Sequence, residues 1–200
     1  MKRFLYVSMW MLAASSLWGQ APRKEPPKID LSLPDQMERK QDLASHRGDV
    51  VILLFGDREG AKQNREIGEQ LQVEFHPTAK GQTGAKAAQA PVTPLANLPQ
   101  GKRSPDVKII PVACIGKVPA VVKNLIRSQV KKEVGETPVW LDYEDRMKEL
   151  FGLSVGEPNL AVIDAEGKLR FRATGKLDEK NYARVVEVTE LLRKEAAGVK

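Results

Sequence analysis

GDVVILLFGDREGAKQNREIG, residues 48–68, changes periodicity in its middle. Val50 to Phe55 is a continuous apolar run, β-branched at its start and bounded by Gly48-Asp49 and Gly56, the pattern of a strand covered on both faces. Beyond the charged turn Gly56-Asp57-Arg58-Glu59-Gly60, the residues Ile67, Leu71 and Phe75 recur at fourfold spacing, so a helix starts at about residue 60. A buried strand running through a tight turn into a helix is a building unit of α/β sheets, and such turns are common places for chemistry.

The same alternation continues downstream. Residues 76–106, rich in Gly, Pro, Ala and polar residues without either periodicity, read as a long mobile loop. VKIIPVACI, 107–115, reads as a second buried strand in which Pro111 predicts a bulge or a strand end. Val118, Val121, Val122, Leu125, Ile126 and Val130 form a helical stripe that stops at Gly135. TPVWLD is a third strand, followed by a short helix with Asp142 as cap and Gly152 as stop. NLAVID and LRFRATG are strands joined by a hairpin at Ala165-Glu166-Gly167, and a last helix capped near Asp178 presents Tyr182, Val185, Val186, Thr189 and Leu192 to the core.

Upstream, Ile29, Leu31 and Leu33 alternate with polar residues before a Pro-Asp turn, which predicts a short hairpin. Lys2 and Arg3 precede an apolar stretch that ends in small residues, the pattern of a secretory signal over residues 1–21 with cleavage near Gly19 to Ala21. Residues 22–28 then form a flexible leader and 29–197 one α/β domain. The expected location is periplasmic or secreted, with no stable membrane anchor once the signal is removed.

The formal net charge of +6 falls by two when Lys2 and Arg3 leave. The remaining cations are interleaved with acids and have no aromatic partners, a pattern of solvated surface that excludes a nucleic-acid partner. Cys114 is the single cysteine, so no internal disulfide can form and stability rests on the core.

The order of elements resembles the thioredoxin-like fold in its redoxin or peroxiredoxin-like layout, a three-layer sandwich around a mixed central sheet with an N-terminal hairpin and a long loop insertion. The resemblance spans roughly residues 29–195, and its most specific stretch is Gly156-Glu157-Pro158 before NLAVIDAEGK, which is similar to that family's cis-proline loop and closing hairpin. FGDREG, IIPVACIGKVPAVVKNLIRSQV and PNLAVIDAEGKL are similar, more narrowly, to the YtfJ-type periplasmic proteins, a group without a redox pair. The resemblance implies a cis Glu157–Pro158 bond packed against the helix start. It also places Gly60 and Gln63 where thioredoxin-like oxidoreductases carry the two cysteines of CxxC.

Neither residue is a thiol, and disulfide exchange needs a thiolate attacker and a resolving sulfur. The expected site is therefore a redox-inactive recognition edge made of Gly56, Asp57, Arg58, Glu59, Gly60, Gln63, Glu157 and Pro158. Its partner would be an envelope protein, or an extended peptide that pairs with free backbone groups before Pro158. Arg58 and the amides after it offer a rival reading as an anion site. The enzymatic alternative is a divergent redoxin with peroxidase or thiol-disulfide activity through Cys114, whose ordinary reading is a buried structural cysteine. A purely structural or regulatory role in the envelope is the third reading. No cofactor is expected, because no GxxxxGK follows Gly56. No metal is expected, because no histidine joins Asp57, Glu59 and Glu157. His46 and His76 read as surface loop residues, and Trp140 and Tyr143 as core.

Overall fold

The computed structural model describes residues 26–82 and 84–199. The signal and most of the leader lie outside the described residues. Among the described residues seven strands are present: β1 Ser32–Pro34, β2 Lys40–Asp42, β3 Val50–Gly56, β4 Val107–Cys114, β5 Trp140–Asp142, β6 Asn159–Ile163 and β7 Leu169–Thr174. They alternate with helices α1 Ala61–Phe75, α2 Gly84–Ala88, α3 Ala120–Val134, α4 Arg146–Phe151 and α5 Glu179–Ala197.

The main sheet has the order β5-β4-β3-β6-β7. β3, β4 and β5 run parallel, while β6 and β7 are antiparallel to their neighbours, so the sheet is mixed, as the closing hairpin predicts. All seven residues of β3 are buried, because side chains alternate between two covered faces. Val51, Leu53 and Phe55 meet Leu31, Leu33, Trp140 and Phe151 on one face. Val50, Ile52 and Leu54 meet Leu71, Phe75, Val185 and Leu192 of α1 and α5 on the other. The hairpin β1–β2 pairs antiparallel and reaches the sheet edge through a bridge between Asp35 and Trp140.

Pro111 stays within β4, opposite Leu54, with no bulge. Ile115 N–H donates to Asp142 O, so the odd-numbered residues of this strand point their N–H groups toward β5. β5 begins only at Trp140, opposite Val112, so Pro111 lacks a donor where none is needed.

Segment 76–106 departs from a plain loop. It contains a 3-10 turn, Pro77–Ala79, as well as α2, and several side chains pin it. Arg193 of α5, 1% exposed, donates to Thr93 O, Pro105 O and Ser104 Oγ and pairs with Glu190. His76 is not a surface residue: it is 3% exposed, and its Nε2 lies 2.9 Å from Asp106 Oδ1, closing the two ends of the segment on each other. His46 is half-buried and stacks on Trp140, with ring centroids 6.3 Å apart.

α3 also differs from expectation. Its range is as read, but it buries no residue, and the stripe divides. Ile126 and Val130 are half-buried, whereas Val121, Val122 and Leu125 face solvent. Among the described residues no helix is long and apolar enough to cross a membrane.

Candidate functional site

Parallel strands put the C-terminal ends of β3, β4 and β5 side by side, so Gly56, Cys114 and Asp142 share one rim of the sheet. β6 enters from the opposite direction with Asn159 opposite Phe55, which brings the 152–158 loop to the same rim. The fold thereby gathers Gly56, Asp57, Gly60, Glu157 and Pro158 in one place. A Cβ on Gly60 would lie 2.5 Å from Glu157 O, so this glycine is required by close approach to backbone, whereas one on Gly56 would lie 2.8 Å from Asn64 Nδ2, a side-chain end.

Asp57 organises this rim. Its Oδ1 accepts from the amides of Glu59 and Gly60 at 3.1 and 3.0 Å, and its Oδ2 accepts from Gly156 N–H at 2.7 Å. The carboxylate thus caps the turn before α1 and ties the loop before Pro158 to it. Burial pushes its pKa up, but the amide donors outweigh burial and hold it below the ordinary carboxylate value. The anion-site reading of this turn is corrected here, because Asp57 already occupies the Glu59 and Gly60 amides. Arg58 and Gln63 are exposed and Arg58 is in no ion pair among the described residues.

The Glu157–Pro158 bond is trans, which corrects the expected cis bond. Side chains set the path of this loop. Asn159 Oδ1 accepts from Ser154 N–H, and Asn159 Nδ2 donates to Ser154 O and Glu157 O. Glu157 N–H donates to Ser154 O, and Pro158 O accepts from Gly175 N–H. The amides of Ser154, Gly156 and Glu157 are consequently satisfied, that of Gly156 by Asp57 across the rim. The backbone donors that strand-like pairing with a peptide needs before Pro158 are not free there. What this region offers outward is side chains: Arg58, Glu59, Gln63 and Glu157 are exposed, as is Val155 at 78%.

Cys114 is half-buried at the end of β4, against the core face that holds Phe55 and Trp140. Burial pushes its thiol up to about 12, and the negative charges of Asp142, Asp57 and Asp145 act in the same direction, against a hydrogen bond from Gly56. A thiol ringed by carboxylates stays protonated at neutral pH.

No protein-family model and no curated protein matches the sequence. Solved structures do match. The exposed lipoprotein thioredoxin of Streptococcus pneumoniae aligns over 82% of this chain and 100% of its own at a TM-score of 0.52 and 18% identity. A DsbE thiol:disulfide interchange protein of Chlorobium tepidum aligns over 86% and 97% at 0.51 and 18% identity. A secreted thiol-disulfide isomerase of Corynebacterium glutamicum aligns over 88% and 96% at 0.51 and 14% identity. The fold is thioredoxin-like.

Within this thioredoxin-like fold, two site residues have no distinct signal in the sequence. Asn159 is buried and braces the loop, and Asn64 is buried under Gly56 with its Oδ1 unpartnered. Asp142, read as a cap, is buried and accepts from the amides of Glu144, Arg146 and Met147 at the start of α4. Polar residues in such numbers are ordinary on a surface, and only the chain's return to the rim shows them to be interior.

Replacing Asp57 tests the rim directly. Asp57→Ala is expected to lower stability by about 1–2 kcal/mol at neutral pH, the scale of a lost cap and stranded amides. The folded pKa lies below the unfolded one, so the stabilisation is complete above the unfolded value of about 3.9 and fades as pH falls through the folded value. Urea melts of wild type and variant should converge on acidification. A gap that persists or widens toward low pH would assign the loss to something other than the ionised carboxylate.

Proposed function

We propose that this chain is a redox-inactive thioredoxin-fold binding protein of the bacterial envelope, which recognises a folded partner through the rim side chains Arg58, Glu59, Gln63, Val155 and Glu157. The observation that carries this reading is the chemistry of the turn. The resemblance implies that Gly60 and Gln63, neither a thiol, stand at the dithiol positions, and both oxygens of Asp57 are committed to holding the turn and the facing loop together. A turn without a thiol, a Cys114 thiol held protonated, and a mixed set of exposed charges with an exposed valine favour recognition over turnover. Because the loop amides are already bonded, side-chain contact with a folded surface fits better than addition of an extended peptide strand. Likeness in FGDREG and PNLAVIDAEGKL to the YtfJ-type periplasmic proteins supports the same reading.

The rival reading is redox activity through Cys114, and one set of measurements separates the two. At pH 7 the native thiol is expected to alkylate about a thousandfold more slowly than the denatured one, following its thiolate fraction. Peroxide consumption and disulfide reduction, with an external thiol supplied, should stay at background for wild type and Cys114→Ser alike. Turnover that Cys114→Ser abolishes would replace the binding reading with a one-cysteine redoxin. A photo-crosslinking residue at Val155 should yield a discrete adduct in cells, and the same residue at Lys194, exposed near the other end of α5, should not.

A further inference from the structure

The strongest feature outside the rim is α3. Val121 is 79% exposed and Leu125 69%, one helical turn apart, with Val122 beside them at 38%. From Gly116 to Lys132 the sequence carries five cations and no acid. Two of these turn inward: Lys123 Nζ sits 4.8 Å from the Tyr143 ring centroid, and Arg127 is held by Glu38 and Asn124. The other three, Lys117, Lys131 and Lys132, are exposed and in no ion pair among the described residues. Glu133, which ends the basic run, faces Arg65 of α1 at 3.8 Å.

An exposed apolar strip on a segment that carries cations and no acid from Gly116 to Lys132 constrains what can cover it, the neighbouring acids being Glu133 at the helix end and Glu144 and Glu149 beside Lys117. A second copy of this chain would bring like charges together, so self-association is disfavoured. A helical or extended peptide needs an apolar groove, whereas Val121 and Leu125 are exposed and the depression beside Lys117 and Lys123 is lined by Glu144, Arg146 and Glu149. A plane of anionic headgroups satisfies both demands: valine and leucine enter the headgroup boundary, and the lysines extend to the phosphates. From this charge complementarity we infer that α3 docks the domain peripherally on an anionic lipid surface through Val121, Val122 and Leu125, with Lys117, Lys131 and Lys132 as the electrostatic contacts.

The test is co-sedimentation with vesicles, using the chain that starts at Pro22 so that the apolar N-terminal segment does not contribute. Vesicles of phosphatidylcholine with about one-third phosphatidylglycerol should bind the protein, and pure phosphatidylcholine should not. Lys131→Ala with Lys132→Ala should weaken partition on the order of twentyfold, and Leu125→Ser on the order of tenfold. All three positions are exposed, and unchanged circular dichroism shows that the variants fold. Absence of binding, equal binding to neutral vesicles, or variants that bind like wild type would each overturn the inference. So would a dimer in gel filtration that Leu125→Ser dissolves, which would assign the face to a second copy.

Discussion

Arg193→Ala is expected to cost about 3–5 kcal/mol of folding stability, the range for removing one partner of a buried, hydrogen-bonded charge. The guanidinium is almost wholly buried, and it satisfies Thr93 O, Pro105 O and Ser104 Oγ while pairing with Glu190. Its deletion strands these acceptors, leaves a cavity under α5 and frees 93–105 from the domain. Thermal melting should drop by roughly 10 °C. Trypsin should then cut at Lys102 or Arg103 under conditions that leave the wild type whole. Arg193→Met restores volume without the donors and should recover only a minor part of the loss. If it recovers nearly all of it, packing rather than hydrogen bonding holds the segment down.

Gly60→Ala is the second large effect. The backbone of Gly60, at φ −72° and ψ −17°, is open to any residue, so the penalty comes from contact alone. The new methyl would sit 2.5 Å from Glu157 O and 2.9 Å from Glu157 C, against backbone that Asn159 and Asp57 hold in place. About 1–3 kcal/mol of destabilisation is expected, as for overpacking. Gly56→Ala should cost less, because its nearest neighbour is the end of the Asn64 side chain, which can rotate away. Chemical denaturation of the two variants gives the order. Equal losses would mean that the 154–158 loop yields as easily as a side chain.

The elements that were legible in the sequence are those whose neighbours dictate them. VVILLF reads as a doubly covered strand because nothing in it could face water, and Asp178 reads as a cap because its carboxylate accepts from Asn181 three residues on. The β1–β2 hairpin and the Asp164 to Lys168 turn are equally local. What the sequence hides depends on residues far apart in the chain. Val121 and Leu125 have the spacing of a core stripe, but Ile126 and Val130 are the members of α3 that are half-buried instead. His76 and Arg193 look like solvent residues until Asp106 and Pro105 arrive beside them. At the site, the meeting of Gly60 with Glu157 follows from the order of strands, whereas the trans bond at Pro158 and the satisfied loop amides follow from Asn159 and Asp57, which no spacing rule singles out.

The central place of β3 also shapes how the chain can fold. This strand is synthesised early, yet its two partners come late: Val107 begins β4 only after the 76–106 segment, and Ile163, the partner of Val51, follows β4, β5 and the helices between them. Until then an unbroken apolar strand has both hydrogen-bonding edges open. Contacts this distant in sequence slow folding, because loop-closure entropy is paid before the contacts repay it. Refolding should therefore be limited by the arrival of β6, and in the interval before it the VVILLF edge is the segment that a chaperone has to shield from other chains.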